Sequence, residues 1–197
     1  MVTEQTSYSR LFDGVELPAD LGGHPALELC NTRAGWDEDD PKEYLAGYRH
    51  LVALARAVGL VSAPAAAMLP EDAPDVYARA LRFRDALYVT LRDPAPSAAW
   101  DDVSAEVERA ACAASFTPDG WSFPRTPELP LLAFAHAAGD LIASPHPPIR
   151  ACPGRRCGWL FLDPHGRRRW CTMATCGNRE KARRHAARVR ATSPVSG

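Results

Sequence analysis

The sequence predicts an α+β chain, mainly helical with a small β-hairpin or sheet over its first three quarters and closed by a compact cysteine-rich module. Three observations carry this. Apolar residues recur at three- and four-residue spacing in several long segments and give way only briefly to strand-like alternation. Cys152, Cys157, Cys171 and Cys176, four of the six cysteines, fall in the stretch 149–190 as two C-x4-C pairs around a 13-residue insert. Charge divides at the same place: 12 Lys/Arg stand against 2 Asp/Glu from Ile149 onward and 11 against 22 before it, within a net −1.

At 197 residues and 46% hydrophobic content the chain can bury a sizeable core. Residues 1–10 read as a flexible arm. A strand-like segment at 11–17 turns at Asp13-Gly14, and Gly22-Gly23-His24-Pro25 reverses the chain. Residues 26–32 form a short helix with Leu27 and Cys30 inward, Cys30 serving as a small core hydrophobe. A helix over 41–58 follows, with Asp40 and Glu43 as a capping box, Pro41 at its first position and Gly59 past its end. Its core stripe is Leu45, Tyr48, Leu51, Val52, Leu54, Ala55 and Val58. A short helix at 64–69 starts after Ser62.

The segment 75–92 carries Val76, Ala80, Leu81, Phe83, Leu87, Tyr88 and Leu91 on one helical face. Asp93-Pro94-Ala95-Pro96 ends it. Ser97 caps a helix running to about 114, with Trp100, Val103, Val107, Ala110 and Ala111 inward and Cys112 packed. Residues 114–117 and 121–123 flank Pro118-Asp119-Gly120 as a hairpin. The broad apolar face of 127–143 reads as a helix buried on most sides, with His136 at its polar boundary. These readings divide the chain into an arm at 1–10, a body at 11–144, a Pro-rich linker at 145–148, the module at 149–190 and a flexible tail at 191–197.

No apolar run reaches the roughly 18 residues that a membrane span needs, and the first ten residues have no signal-like stretch. A soluble, cytoplasmic protein without a membrane partner is expected. There is no internal repeat, no Gly-rich phosphate loop and no nucleophile paired with a base at recognisable spacing, so no catalytic residue is assigned and no enzyme is expected.

In a reducing compartment a clustered cysteine quartet points to a metal site before two disulfides. Four thiolates could hold an iron–sulfur cluster, but the spacing matches neither usual ferredoxin pattern. The expected cofactor is one structural Zn2+ per chain, held by Cys152, Cys157, Cys171 and Cys176, with no position left for water or substrate. Pro153-Gly154 permits a knuckle, and a hairpin of 159–162 with 167–170 about Asp163-Pro164-His165-Gly166 returns the chain to Cys171. Cys176 then sits at the start of the last helix, where free N–H groups favour a thiolate. That arrangement is a treble-clef-like, four-cysteine zinc finger; His165 and His185 fall outside the ligand spacing and read as surface residues.

The last helix, 177–190, is expected to pack Ala182, Ala186 and Val189 on Trp159, Phe161 and Trp170. Its other faces are basic. A basic appendage on an acidic body points to a polyanionic partner, and guanidinium forks suit phosphates and guanine edges. Candidate nucleic-acid contacts are Arg167, Arg168, Arg169, Asn178, Arg179, Lys181, Arg183, Arg184, Arg188 and Arg190. Asn178 is suited to an adenine edge or to capping the helix.

The four cysteines together with Cys176-Gly177-Asn178-Arg179, Phe161, Asp163, Arg169-Trp170, Lys181 and Arg183 resemble the CGNR zinc finger of bacterial proteins. Gly23-His24-Pro25-Ala26-Leu27-Glu28-Leu29-Cys30-Asn31-Thr32 resembles the opening of its partner module, the ABATE domain, a family named for stress-induced transcription regulation. Glu28 stands where that family commonly has Asp, and Cys30 where it has a plain aliphatic or aromatic residue. The resemblance implies a mainly helical α+β body and a role in transcription regulation. DNA is the expected partner, with the body sensing a signal or forming a homodimer. Two alternatives stay open: an RNA-binding or ribosome-associated protein, or a small-molecule sensor with His24, Asn31 and Arg33 at a ligand pocket and the finger as a protein-interaction module.

Overall fold

The computed structural model describes residues 8–93, 95 and 97–192. Strand β1 (Ser9–Phe12) pairs antiparallel with β2 (Val15–Pro18). The Asp13-Gly14 turn between them has φ of 48° and 78°, the double left-handed geometry that joins twisted strands without splaying them. Ser9 and Arg10 therefore belong to a strand and not to a loose arm, and Tyr8 O accepts the Ala19 N–H at 3.0 Å. The rest of the expected arm and most of the expected tail, residues 1–7 and 193–197, lie outside the described residues.

Helix α1 (Pro25–Cys30) begins with Pro25 at its first position, and the Ala26 N–H donates to His24 Nδ1 at 3.2 Å. The two-residue strands β3 (Arg33–Ala34) and β4 (Lys42–Glu43) then pair, and α2 runs over Tyr48–Ala57. The helix expected from residue 41 thus starts seven residues later, because tertiary partners claim the capping box. Both Glu43 oxygens accept from Arg84 Nη1, at 2.7 and 2.8 Å, and Lys42 reaches Glu16 at 2.9 Å. Arg84 is buried, and an unpaired buried guanidinium costs far more than an uncapped helix end.

After α3 (Ala63–Ala66), capped by Ser62, come α4 (Pro74–Arg92), α5 (Ala98–Ala113), the hairpin of β5 (Ser115–Thr117) and β6 (Gly120–Ser122), and α6 (Leu129–Ala143). Helix α6 is the centre of the body, touching α1, α2, α4 and α5. Gly139 allows the α5 approach: a Cβ there would stand 2.9 Å from Val107 Cγ1. Helix α5 lies outermost, so Val103 and Ala110 are its buried residues, whereas Trp100, Ala111 and Cys112 are exposed and not inward as expected. Its seam on α4 and α6 is narrower than its apolar stripe.

Strand β7 (Ile149–Ala151) pairs with β8 (Leu160–Leu162), a π-helical turn spans Met173–Gly177, and α7 (Asn178–Thr192) closes the chain. No described helix is long and apolar enough to cross a membrane. The 145–148 stretch joins parts that share buried surface, since Leu160 belongs to the body's core and Ala19 and Tyr44 belong to the cysteine module's core.

Candidate metal centre and basic helix

The ladder between β7 and β8 is prolonged by the Cys152 N–H donating to Trp159 O at 2.8 Å, so the first two cysteines sit inside this hairpin. Gly154 O accepts from Cys157 N–H at 3.0 Å, which tightens the knuckle. The hairpin expected between 159–162 and 167–170 does not form. Residues 163–170 instead wrap round the buried Asp163, whose Oδ1 accepts the N–H groups of Arg167 and Arg168 at 2.9 and 3.1 Å. Arg150 Nε approaches its Oδ2 at 2.8 Å. Burial pushes the Asp163 carboxyl up, but those two N–H groups and the Arg150 guanidinium outweigh it and hold it below the ordinary Asp value.

The four sulfur atoms lie within 4.8 Å of one another, with Cys157 to Cys171 at 3.7 Å and Cys171 to Cys176 at 3.6 Å. Zinc–sulfur bonds of about 2.3 Å at tetrahedral angles require sulfur–sulfur edges of about 3.8 Å, so the thiols are already spaced for the ion. A Cβ on Gly154 would lie 2.8 Å from Cys176 Sγ, which leaves the knuckle room for sulfur and for little else. Four buried thiols so close together cannot all ionise alone. Hydrogen bonds from Cys152, Cys157 and Cys171, and then the Arg179 charge, pull the Cys176 thiol down; Cys171 is pushed up by its bonds to Cys152, Cys157 and Cys176. A dication resolves this conflict by stabilising every thiolate together.

Two family models match the chain: the CGNR zinc finger over residues 149–189, and the ABATE family, described as "Putative stress-induced transcription regulator", over residues 23–145. The chain belongs to the ABATE family and ends in a CGNR zinc finger. Neither family is one of enzymes, and no curated protein sequence matches the chain. The finger is treble-clef-like and holds one structural zinc ion on its four cysteines.

The CGNR finger presents α7 without packing it. Residues 181–190 are exposed on every side of the helix, including Ala182, Ala186 and Val189, which were expected against the aromatic residues of the finger. Residues outside α7 cover those rings instead. Trp159 is buried against the rings of Tyr8 and Tyr44, with centroids 6.3 and 6.2 Å away, and Phe161 lies under the Arg168 guanidinium at 4.4 Å.

The candidate nucleic-acid residues separate by what they already hold. Arg168 donates to Leu21 O, Leu162 O and Cys171 O at 2.7–3.1 Å, a clamp between finger and body. Arg179 braces the metal site through Arg155 O at 2.9 Å and Cys176 Sγ at 3.7 Å. Asn178 Nδ2 donates to Ala174 O of the preceding π-helical turn at 3.3 Å. Arg183 forks onto Glu180 with two bonds of 2.8 Å. Arg167, Arg169, Lys181, Arg184, Arg188 and Arg190 are exposed. The knuckle adds Arg155 and Arg156, which with Arg179 and Arg183 line a groove of about 410 Å³. Two adjacent arginines between the first cysteines were the signal for them.

The three body residues expected at a ligand pocket each have partners within the fold. His24 caps α1, and Arg33 pairs with Asp85 at 3.3 Å and covers the Trp36 ring at 4.8 Å. Asn31 is fully buried, donating to Leu160 O at 3.0 Å and accepting from Leu160 N–H at 2.7 Å, so an ABATE side chain completes the finger's strand.

Glu28 was not legible as a special residue. Its buried carboxyl accepts the Gly22 and Gly23 N–H groups at 2.6 and 3.2 Å, holding the loop whose Gly22 O receives the Leu162 N–H. Burial, and then the hydrogen bond and charge of Asp20, push it from 4.5 up to about 8. A carboxyl raised on folding stabilises the native state fully below its unfolded pKa, and this contribution is lost as pH rises towards 8. Zinc-saturated protein should therefore lose about 2 kcal/mol between pH 6 and 9 in urea unfolding, and Glu28→Gln should flatten that slope. An equal slope in both proteins would remove Glu28 as its source.

Proposed function

We propose that this chain is a zinc-dependent, DNA-binding transcription regulator in which the CGNR finger sets α7 on the duplex and the ABATE domain senses a signal or oligomerises. The observation that carries it is a helix of 15 residues whose exposed length holds five arginines or lysines over 181–190 and no acid. Arg179 and Arg183, and Arg184 and Arg188, stand four residues apart, a spacing at which like charges weaken an isolated helix. Backbone phosphates would relieve that repulsion. A helix uncovered on every side can also enter a major groove about 12 Å wide, with Ala182 and Ala186 suited to thymine methyl groups.

Trp159 and Trp170, the aromatic residues of the finger that could stack on unpaired RNA bases, are both buried, which favours duplex phosphate contact over base stacking. Zinc-loaded protein is expected to bind duplex DNA with an affinity that falls steeply with salt. Arg183→Ala/Arg184→Ala should weaken it about tenfold or more and reduce the log–log salt slope by about 2. Absence of binding at low salt, or an unchanged slope, would end this reading; stronger binding to structured RNA in competition would replace it.

A further inference from the structure

On the body, away from the zinc site, the β5–β6 hairpin stands off α6 and leaves a cleft of about 630 Å³ between hairpin, helix and the turn at residues 59–62. This is the size of a small-molecule site. The α6 wall is shallow where Ala133 and Ala137 face the cleft. The hairpin wall is aromatic. Trp121 remains 57% exposed although its ring lies 5.2 Å from His136, and Phe123 lies 5.4 Å from the same imidazole. A large indole held out of every core is costly to leave in water.

The cleft carries two carboxylates, Asp119 and Asp140, against one guanidinium, Arg125. Asp119 projects from the hairpin turn, and Asp140, with 68% of its side chain exposed, lies 3.5 Å from His136 Nδ1. Arg125 at the rim turns its guanidinium to Met68 Sδ at 3.6 Å. Aromatic faces beside carboxylates are what a flat, positively charged molecule needs: the rings attract the cation through their quadrupole and the carboxylates neutralise it. We propose that the cleft between α6 and the β5–β6 hairpin binds a planar aromatic cation, stacked on Trp121 with its charge towards Asp140 and Asp119.

The site also has a physical route to the finger. Helix α6 packs on α1, and the Asp140 charge acts on His24, the cap of α1, while Asn31 at the other end of that helix bonds to Leu160. The binding proposal stands without the nucleic-acid reading.

Its test uses the zinc-loaded full chain at pH 8 without nucleic acid, titrated by calorimetry with 9-aminoacridine, a planar cation, and with acridine, its neutral counterpart. One-to-one saturable binding of the cation is expected, weaker for acridine by about tenfold. Trp121→Ala and Asp140→Asn should each weaken the cation by about fivefold, while Arg183→Ala/Arg184→Ala should leave it unchanged. Three results would overturn the proposal: no saturation, equal binding of both probes, or binding indifferent to both cleft substitutions. Sedimentation showing a dimer that Trp121→Ala dissociates would overturn it in favour of a second copy on this face. None of these outcomes bears on whether α7 binds DNA.

Discussion

Cys171→Ser is expected to abolish stoichiometric zinc binding and to lower the thermal midpoint of the whole chain, not of the finger alone. The four cysteines share one buried cluster with Ala19, Tyr44, Trp159, Phe161 and Trp170, and two of those, Ala19 and Tyr44, are contributed by the body. Structural zinc contributes on the order of 10 kcal/mol, comparable to the entire stability of a domain at ~5–15 kcal/mol. Without it, three thiols and a serine are left with no ion to hold them together, and Trp159 loses the support that keeps it against Tyr8 and Tyr44. A fall of at least ~10 °C is expected, with bound metal dropping from one per chain to a trace. Cys112→Ser, at an exposed thiol outside the cluster, serves as the control and should change neither reading. Stoichiometric metal in Cys171→Ser would refute the ligand set.

Asn31→Ala should be the most damaging single change in the ABATE domain that touches no metal ligand. It removes both partners of Leu160, leaving a buried N–H and a buried C=O unsatisfied on β8. Each orphaned group costs ~1–3 kcal/mol, so a loss of ~2–5 kcal/mol is expected in urea unfolding of the zinc-saturated protein. Because β8 continues the ladder that holds the knuckle, zinc affinity measured by chelator competition should fall with it. Asn31→Asp keeps the acceptor but turns a carboxylate oxygen towards Leu160 O, and should not rescue either reading. A cost below ~0.5 kcal/mol for Asn31→Ala would show that Leu160 finds other partners.

The two substitutions show where sequence reasoning stopped. The cysteine spacing named all four members of the metal cluster, since sulfur ligands must come in pairs from tight turns. The helical stripes located α4 and α6, whose burial follows their own periodicity. The Asp13-Gly14 and Pro118-Asp119-Gly120 turns located two hairpins, because positive φ is a local demand. Asn31 and Arg33 looked like pocket residues and proved to be partners of residues 129 and 52 positions away. The capping box at Asp40 and Glu43 was locally sound and lost to Arg84, 41 positions from Glu43.

What the amino-acid order determined by itself was chemistry and local geometry: the sulfur quartet, the turns, the apolar periods and the concentration of arginine at one end. What the tertiary structure alone decided was which surface each element keeps. The aromatic residues of the finger could have seated α7, but Tyr8, Tyr44 and Arg168 reach them first, so the basic helix is left in water. The reason is physical: a periodic pattern specifies that a face will be covered, whereas the identity of the cover depends on contacts between residues far apart in the chain.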